Sequence, residues 1–271
     1  MRLIPLGHQT MSKPGPRRPE RRNRTIGTVS SGFRRRNDLR IPESWADGDE
    51  RRFYERVDGA NWSAAKVGGR DIAIAFASPN PGFSYGCTPQ DVLRLLTAVA
   101  PLVPKLPDII AFRQPTRKQR VLNPVWGRFL YSARFGAHCG TAIGLEAQQT
   151  GACLRWPKRL RPEDRAELDR LRADGHLFRE TRRYYEAVLE PGALRNTILY
   201  RTVLHELGHL AHYHDEVLDA DSATSPDQSF AAERYFRKPV AERETFAHRF
   251  AEVISAQLRS AGAIPFDPMP R

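Results

Sequence analysis

Residues 202–211 constrain this chain more than any other stretch: they read Thr-Val-Leu-His-Glu-Leu-Gly-His-Leu-Ala. His205 and His209 are four positions apart, so on a helix both imidazoles leave one face, a turn apart. Two imidazoles so placed suit one Zn²⁺ ion at about 2.0–2.1 Å each. Glu206 falls on the open side, where a carboxylate can take the proton of a water whose pKa the metal lowers to about 7. Glu206 is also the only acidic residue of the ten, and none is Lys or Arg. The competing picture is a core helix with two incidental histidines, which leaves a buried carboxylate without a partner, a costly arrangement.

Pro191-Gly192 supplies an opening for this helix, and Leu194, Ile198, Val203 and Leu204 continue its apolar spacing. Upstream, residues 71–77 and 108–112 read as strands, and Thr88-Pro89-Gln90-Asp91 reads as a capped helix start with Val92, Leu93, Leu95, Leu96 and Val99 on its apolar face. Residues 50–57 suit a short helix, and residues 125–131 follow a basic loop, 113–120. The strands 141–147 and 152–156, separated by Gln-Gln-Thr-Gly, form a hairpin pattern. Residues 161–175 and 178–189 read as helices. Strands first and helices after predict an α+β fold, with a small mixed or antiparallel sheet followed by a metal-binding helix and a C-terminal ligand helix. The expected organisation is an arginine- and proline-rich disordered tail (1–45), a strand-bearing substrate-side region (46–190) and a helical zinc-binding region (191–271), the last two as one domain.

A third protein ligand must complete the metal site. His212 shares the face of His205 and His209, but lies about 10 Å along the axis from His205. His212 and His214 are therefore expected near the site or exposed. Asp215 and Glu216 follow closely, and His248 lies further on. The better candidates begin a second amphipathic helix, over 241–258, where Glu242 and Glu244 flank the apolar stripe at comparable angles. Periodicity does not choose between them, although Glu244 sits over Ala247 and Ala251, small enough for a close approach. Tyr235 and His248 are candidate donors to a developing oxyanion.

The sequence H-E-L-G-H, followed thirty-five positions after His209 by E-x-x-A-x-x-F-A from Glu244 to Ala251, resembles the glutamate-ligand zincin metallopeptidases (gluzincins). The local wording, over roughly 198–258, is most similar to the ImmA/IrrE-type peptidases. The resemblance implies a zincin-like fold, His205, His209 and Glu244 as zinc ligands, and Glu206 as the catalytic base for peptide hydrolysis. By the same analogy, residues 141–147 would be the cleft-edge strand that holds an extended protein or peptide substrate.

Charge raises two alternatives. The net charge of +12 is concentrated at the start: residues 1–40 carry eleven basic and two acidic side chains, against 32 and 29 in the remainder. That tail could contact nucleic acid. The chain would then be a zincin-like regulatory or nucleic-acid-binding protein, or a SprT-like protease acting on DNA-bound proteins. The cations 113–128 interleave with Trp126 and Phe129, but no nucleic-acid-binding motif accompanies them. Cys87, Cys139 and Cys153 are odd in number and scattered, which argues against a disulfide framework and for core positions in a reducing, cytoplasmic setting. No apolar run reaches the length of a membrane span, and no secretory leader pattern opens the chain.

Overall fold

The computed structural model describes residues 2–4, 52–57, 59–122, 124–218 and 225–270. Contacts group residues 1–6 with 54–271, and residues 7–53 separately; every element below belongs to the first group. The tail expected over 1–45 lies outside the described residues, except for a short strand, β1 (Arg2–Ile4). Residues 53–55 form a turn, not the helix expected over 50–57.

An antiparallel pair, β2 (Asn61–Val67) and β3 (Arg70–Phe76), opens the main sheet. After a two-residue strand, β4 (Phe83–Ser84), the chain enters α1 (Pro89–Val99). Its start is fixed by a reciprocal cap: Thr88 Oγ1 accepts from the Asp91 backbone while Asp91 accepts from the Thr88 backbone. Val92, Leu95, Leu96 and Val99 are buried, each worth roughly 1.5–3 kcal/mol of transfer free energy. They share one core with Ile72 and Ile74 of β3 and with Ile110 and Phe112 of its parallel neighbour β5 (Ile109–Arg113).

The supposed basic loop is in part α2 (Arg117–Leu122), and Arg113 is a buried strand residue whose guanidinium meets the buried Glu146 at 2.5 Å. Next come β6 (Gly127–Phe135) and β7 (His138–Glu146), a true hairpin turning at Gly136, whose φ of 63° suits glycine. Sheet order is β2-β3-β5-β7-β6, with β3, β5 and β7 parallel and the outer strands antiparallel. The fold is α+β with a mixed sheet. Because β7 lies inside that sheet, the edge strand is β6 and not residues 141–147.

The hairpin expected between 141–147 and 152–156 does not form. The short strand β8 (Gln148–Gln149) pairs with β4, and β9 (Cys153–Pro157) joins a second, antiparallel sheet. That sheet is completed after α3 (Pro162–Ala173) by β10 (Arg179–Glu180) and β11 (Tyr184–Val188), in the order β1-β9-β11-β10. Residues 178–189 are thus a β-hairpin, not a helix, and strands do not all precede helices. Tyr184–Val188 pair with β9 throughout, and that pairing overrides the local helical pattern.

From Pro191 the chain is helical: α4 (Pro191–Arg195), a wide π turn (Asn196–Thr202), α5 (Val203–Tyr213) and a second π turn (His214–Leu218). The helices α6 (Ser225–Arg237) and α7 (Val240–Ser260) follow. Val203, Leu204, Leu207 and Leu210 of α5 join the same core as α1, the sheet and Ala251, Ile254 and Leu258 of α7. Cys87 and Cys153 are half-buried and Cys139 is exposed, so the last is not the core residue its type suggests. No helix among the described residues is long and apolar enough to cross a membrane.

Candidate metal centre

A cavity of about 510 Å³ lies between β6 with its approach from Pro124, helix α5 with the π turn before it, Glu167 of α3 and the first turns of α7. His205, Glu206 and His209 line it from one side, Glu244 and His248 from the other. The register between the helices is set at Gly208. An added Cβ there would lie 2.8 Å from Ala247 Cα and 2.9 Å from its carbonyl oxygen. Glycine and alanine therefore let the two helices cross at backbone contact, and Glu244, one turn before Ala247, arrives opposite the histidines.

The Nε2 atoms of His205 and His209 stand 3.3 and 3.5 Å from the two carboxylate oxygens of Glu244. A tetrahedral ion with bonds of about 2.1 Å separates its donors by about 3.4 Å, so each histidine taken singly stands at a ligand-like distance from Glu244, on a different oxygen. The donors that gather within 4.8 Å of one another among the described residues are those of His205, Glu244 and His248, without His209. The donor chemistry fits as well. Burial, reinforced by the neighbouring His205, pushes His209 down to about 4, and does the same to His248, so both imidazoles are neutral at physiological pH as metal ligands must be. A hydrogen bond from His205 holds Glu244 below the usual carboxylate range against the opposing effect of burial. Glu244 is 46 % exposed at its side chain, which leaves the donor cluster open to solvent on that side.

His248 adds a donor for which the histidine motif gives no signal. One ligand atom each from His205, Glu244 and His248 lie within 4.8 Å of one another, and the rings of His205 and His248 are 4.4 Å apart. Glu244 and His248 repeat on α7 the four-residue spacing of His205 and His209 on α5, which is the signal that could have found it.

Glu206 is 6 % exposed and faces this cluster. Burial pushes its carboxyl up to about 7, against the influence of His205, while the Glu244 charge acts in the same direction as burial and a hydrogen bond from the Phe129 backbone opposes it. A carboxyl poised there is suited to exchange protons near neutral pH.

The remaining candidates fall elsewhere. Glu242 pairs with Lys238 at 3.2 Å and is not among the residues that line the cavity. His212 is buried, stacks on Phe246 and approaches Glu216 at 3.3 Å. Asp215 lies 3.6 Å from His214. Tyr235 is fully buried among Tyr131, Tyr213 and Phe236, and burial pushes its hydroxyl well above the ordinary tyrosine value. It does not line the cavity, whereas Tyr131, 3.3 Å from it across a hydroxyl–hydroxyl contact, does. Tyr131, Arg128, Arg201 and Arg243 were not legible as cleft residues, because Tyr131 and Arg128 arrive on β6 through the sheet topology.

Comparisons with protein-family models, with curated proteins and with solved structures find no match to this chain.

Proposed function

We propose that the chain is a zinc-dependent metallopeptidase of zincin type, with His205, His209 and Glu244 holding the metal and Glu206 as general base. The observation that carries this reading is the convergence of both motif histidines on one carboxylate, each at a ligand-like distance, with Glu206 buried in the same cavity. Bound there, zinc would supply Lewis-acid polarisation of the scissile carbonyl and acidify a water. Glu206 takes a proton from the attacking water as its oxygen bonds to the carbonyl carbon, and returns that proton to the amide nitrogen as the C–N bond breaks. Strand β6 supports the choice of a peptide. Its outer side pairs with no strand among the described residues, with the amides of Phe129 and Arg134 engaged by Glu206 and Glu55, and it borders the cavity from Gly127 to Tyr131. An extended chain can add to such an edge through backbone hydrogen bonds, with alternate side chains directed into the cleft.

The test is zinc content together with hydrolysis of a casein or random-peptide substrate. In folded protein chelation should abolish cleavage and Glu206→Gln should lower it by about a hundredfold or more, and cleavage undiminished by both ends the reading. The proximity of His248 favours one variant of it, a site in which His248 replaces or joins His209. Zinc retained by His209→Ala but lost by His248→Ala would select that arrangement.

A further inference from the structure

The same cavity holds three guanidinium groups, and their surroundings differ. Arg128 gives a 2.9 Å hydrogen bond to the buried Glu146. Arg201 is fixed by Asp174 at 2.6 Å and by Glu167 at 3.2 Å. Arg243 has no carboxylate partner among the described residues. The one hydrogen bond of its guanidinium among the described residues is a long one, 3.5 Å from Nη1 to the Tyr131 hydroxyl.

Arg243 is nonetheless held in place. Its guanidinium lies 5.6 Å from the ring centre of Tyr235 and 5.8 Å from that of Phe236, two members of a cluster of edge-packed aromatic rings with Tyr131 and Tyr213. An arginine resting on aromatic faces keeps its planar fork of donors available while its side chain loses little further freedom on binding. It follows Glu242 and precedes Glu244 on α7, yet Glu242 is engaged by Lys238 and Glu244 by the two histidines. A cation lining the cavity, beside the candidate reaction centre and unneutralised by the fold, calls for an anion from outside.

We infer that Arg243 is a specificity residue that binds a carboxylate of the peptide substrate, either an acidic side chain near the cleaved bond or a chain-terminal carboxyl group. This deepens the metallopeptidase reading by naming the substrate class, and it rests on that reading for the word substrate. The carboxylate would take the fork of Arg243 donors at the rim formed by Tyr131 and Val240, both of which border the same cavity.

The experiment measures binding, so that it stands apart from turnover. Full-length, zinc-loaded Glu206→Gln protein is titrated with neutral host peptides in which a single Glu is walked along the chain, each with a free or an amidated C-terminus. The same titrations are repeated with Arg243→Lys and Arg243→Ala added, after metal content and thermal midpoint are shown to be equal. A charge-assisted contact of this kind should favour one acidic position, or the free terminus, by about tenfold or more. Arg243→Ala should erase that advantage and Arg243→Lys restore part of it. The Glu-walk and the terminus arms separate the two sources of carboxylate. Equal acid preference with and without Arg243, or none with Arg243 present, overturns the inference. So does a uniform loss of turnover in Arg243→Ala across acidic and neutral peptides with unchanged binding, the signature of a role in the transition state. If acid binding follows Arg243 while the wild-type protein hydrolyses no peptide, the carboxylate site stands and the peptidase reading falls.

Discussion

Gly208 and Ala247 bring α5 and α7 so close that a Cβ on Gly208 would stand 2.8 Å from Ala247 Cα. The atoms in the way belong to backbone, which cannot rotate aside as a side chain can. Replacing Gly208 with Ala gains about 1 kcal/mol of helix propensity. It should still destabilise the protein by about 1–3 kcal/mol, because overpacking at this crossing outweighs the propensity gain. The same change moves Glu244 away from the histidines, so zinc content should fall together with the thermal midpoint. An unchanged midpoint with full zinc would mean that this contact does not set the site.

Ligand substitutions should separate cleanly by position. His205→Ala and Glu244→Ala should lose stoichiometric zinc, as measured by elemental analysis of protein dialysed without chelator. Glu242→Ala should keep it, since Glu242 pairs with Lys238 and does not line the cavity. Zinc lost in Glu242→Ala and kept in Glu244→Ala would reverse the ligand assignment.

Glu206→Gln preserves size and leaves both histidines in place. Peptide hydrolysis should drop by about 10²–10⁴-fold, the usual contribution of a general base, with zinc content and folding unchanged. A drop that tracks metal loss instead would make Glu206 a structural residue.

Asp91 offers a stability test far from the cavity. Fully buried, it accepts hydrogen bonds from Arg195 at 2.6 and 2.9 Å and from the backbone of Thr88 and Met269, both at 2.8 Å. Burial alone would raise its pKa, but the hydrogen bonds from Arg195, Met269 and Thr88 outweigh it and the carboxyl sits below its usual value. A carboxyl depressed in the folded state stabilises above its unfolded pKa of about 3.9, and that contribution disappears as pH falls through the folded value. Asp91→Asn leaves Arg195 without its counter-charge and should cost about 3–5 kcal/mol at pH 7 in urea unfolding. The gap between variant and wild type should narrow below pH 4. A gap independent of pH would contradict the assignment.

The parts of this molecule that sequence makes legible are those encoded within one turn or one cap. His205, Glu206 and His209 declare a metal-binding face by spacing, and Thr88 to Asp91 declare the start of α1. The α5–α7 crossing was also readable, because Ala247 and Ala251 mark a side of α7 that can approach closely. What escaped depends on pairing across the chain. Residues 178–189 carry an apolar pattern that also satisfies a helix, and only the presence of β9 alongside decides for strands. The edge position of β6 follows from the order of five strands, which no local pattern encodes. His248 carries no ligand signal of its own in the sequence, because its placement depends on how two helices cross.

The open side of β6 has a consequence of another kind. Its outer side pairs with no strand among the described residues, and apart from the amides of Phe129, which donates to Glu206, and Arg134, which donates to Glu55, it can template a short extended segment, a second copy of this chain included. Two features of β6 discourage such self-pairing: the arginines at 128 and 134, and the irregular register between Leu130 and Ala133, which interrupts a flat ladder. A strand kept receptive enough for a guest and uneven enough to refuse its twin has little latitude in sequence, and substitutions that smooth it or remove its charge should be felt first as loss of solubility.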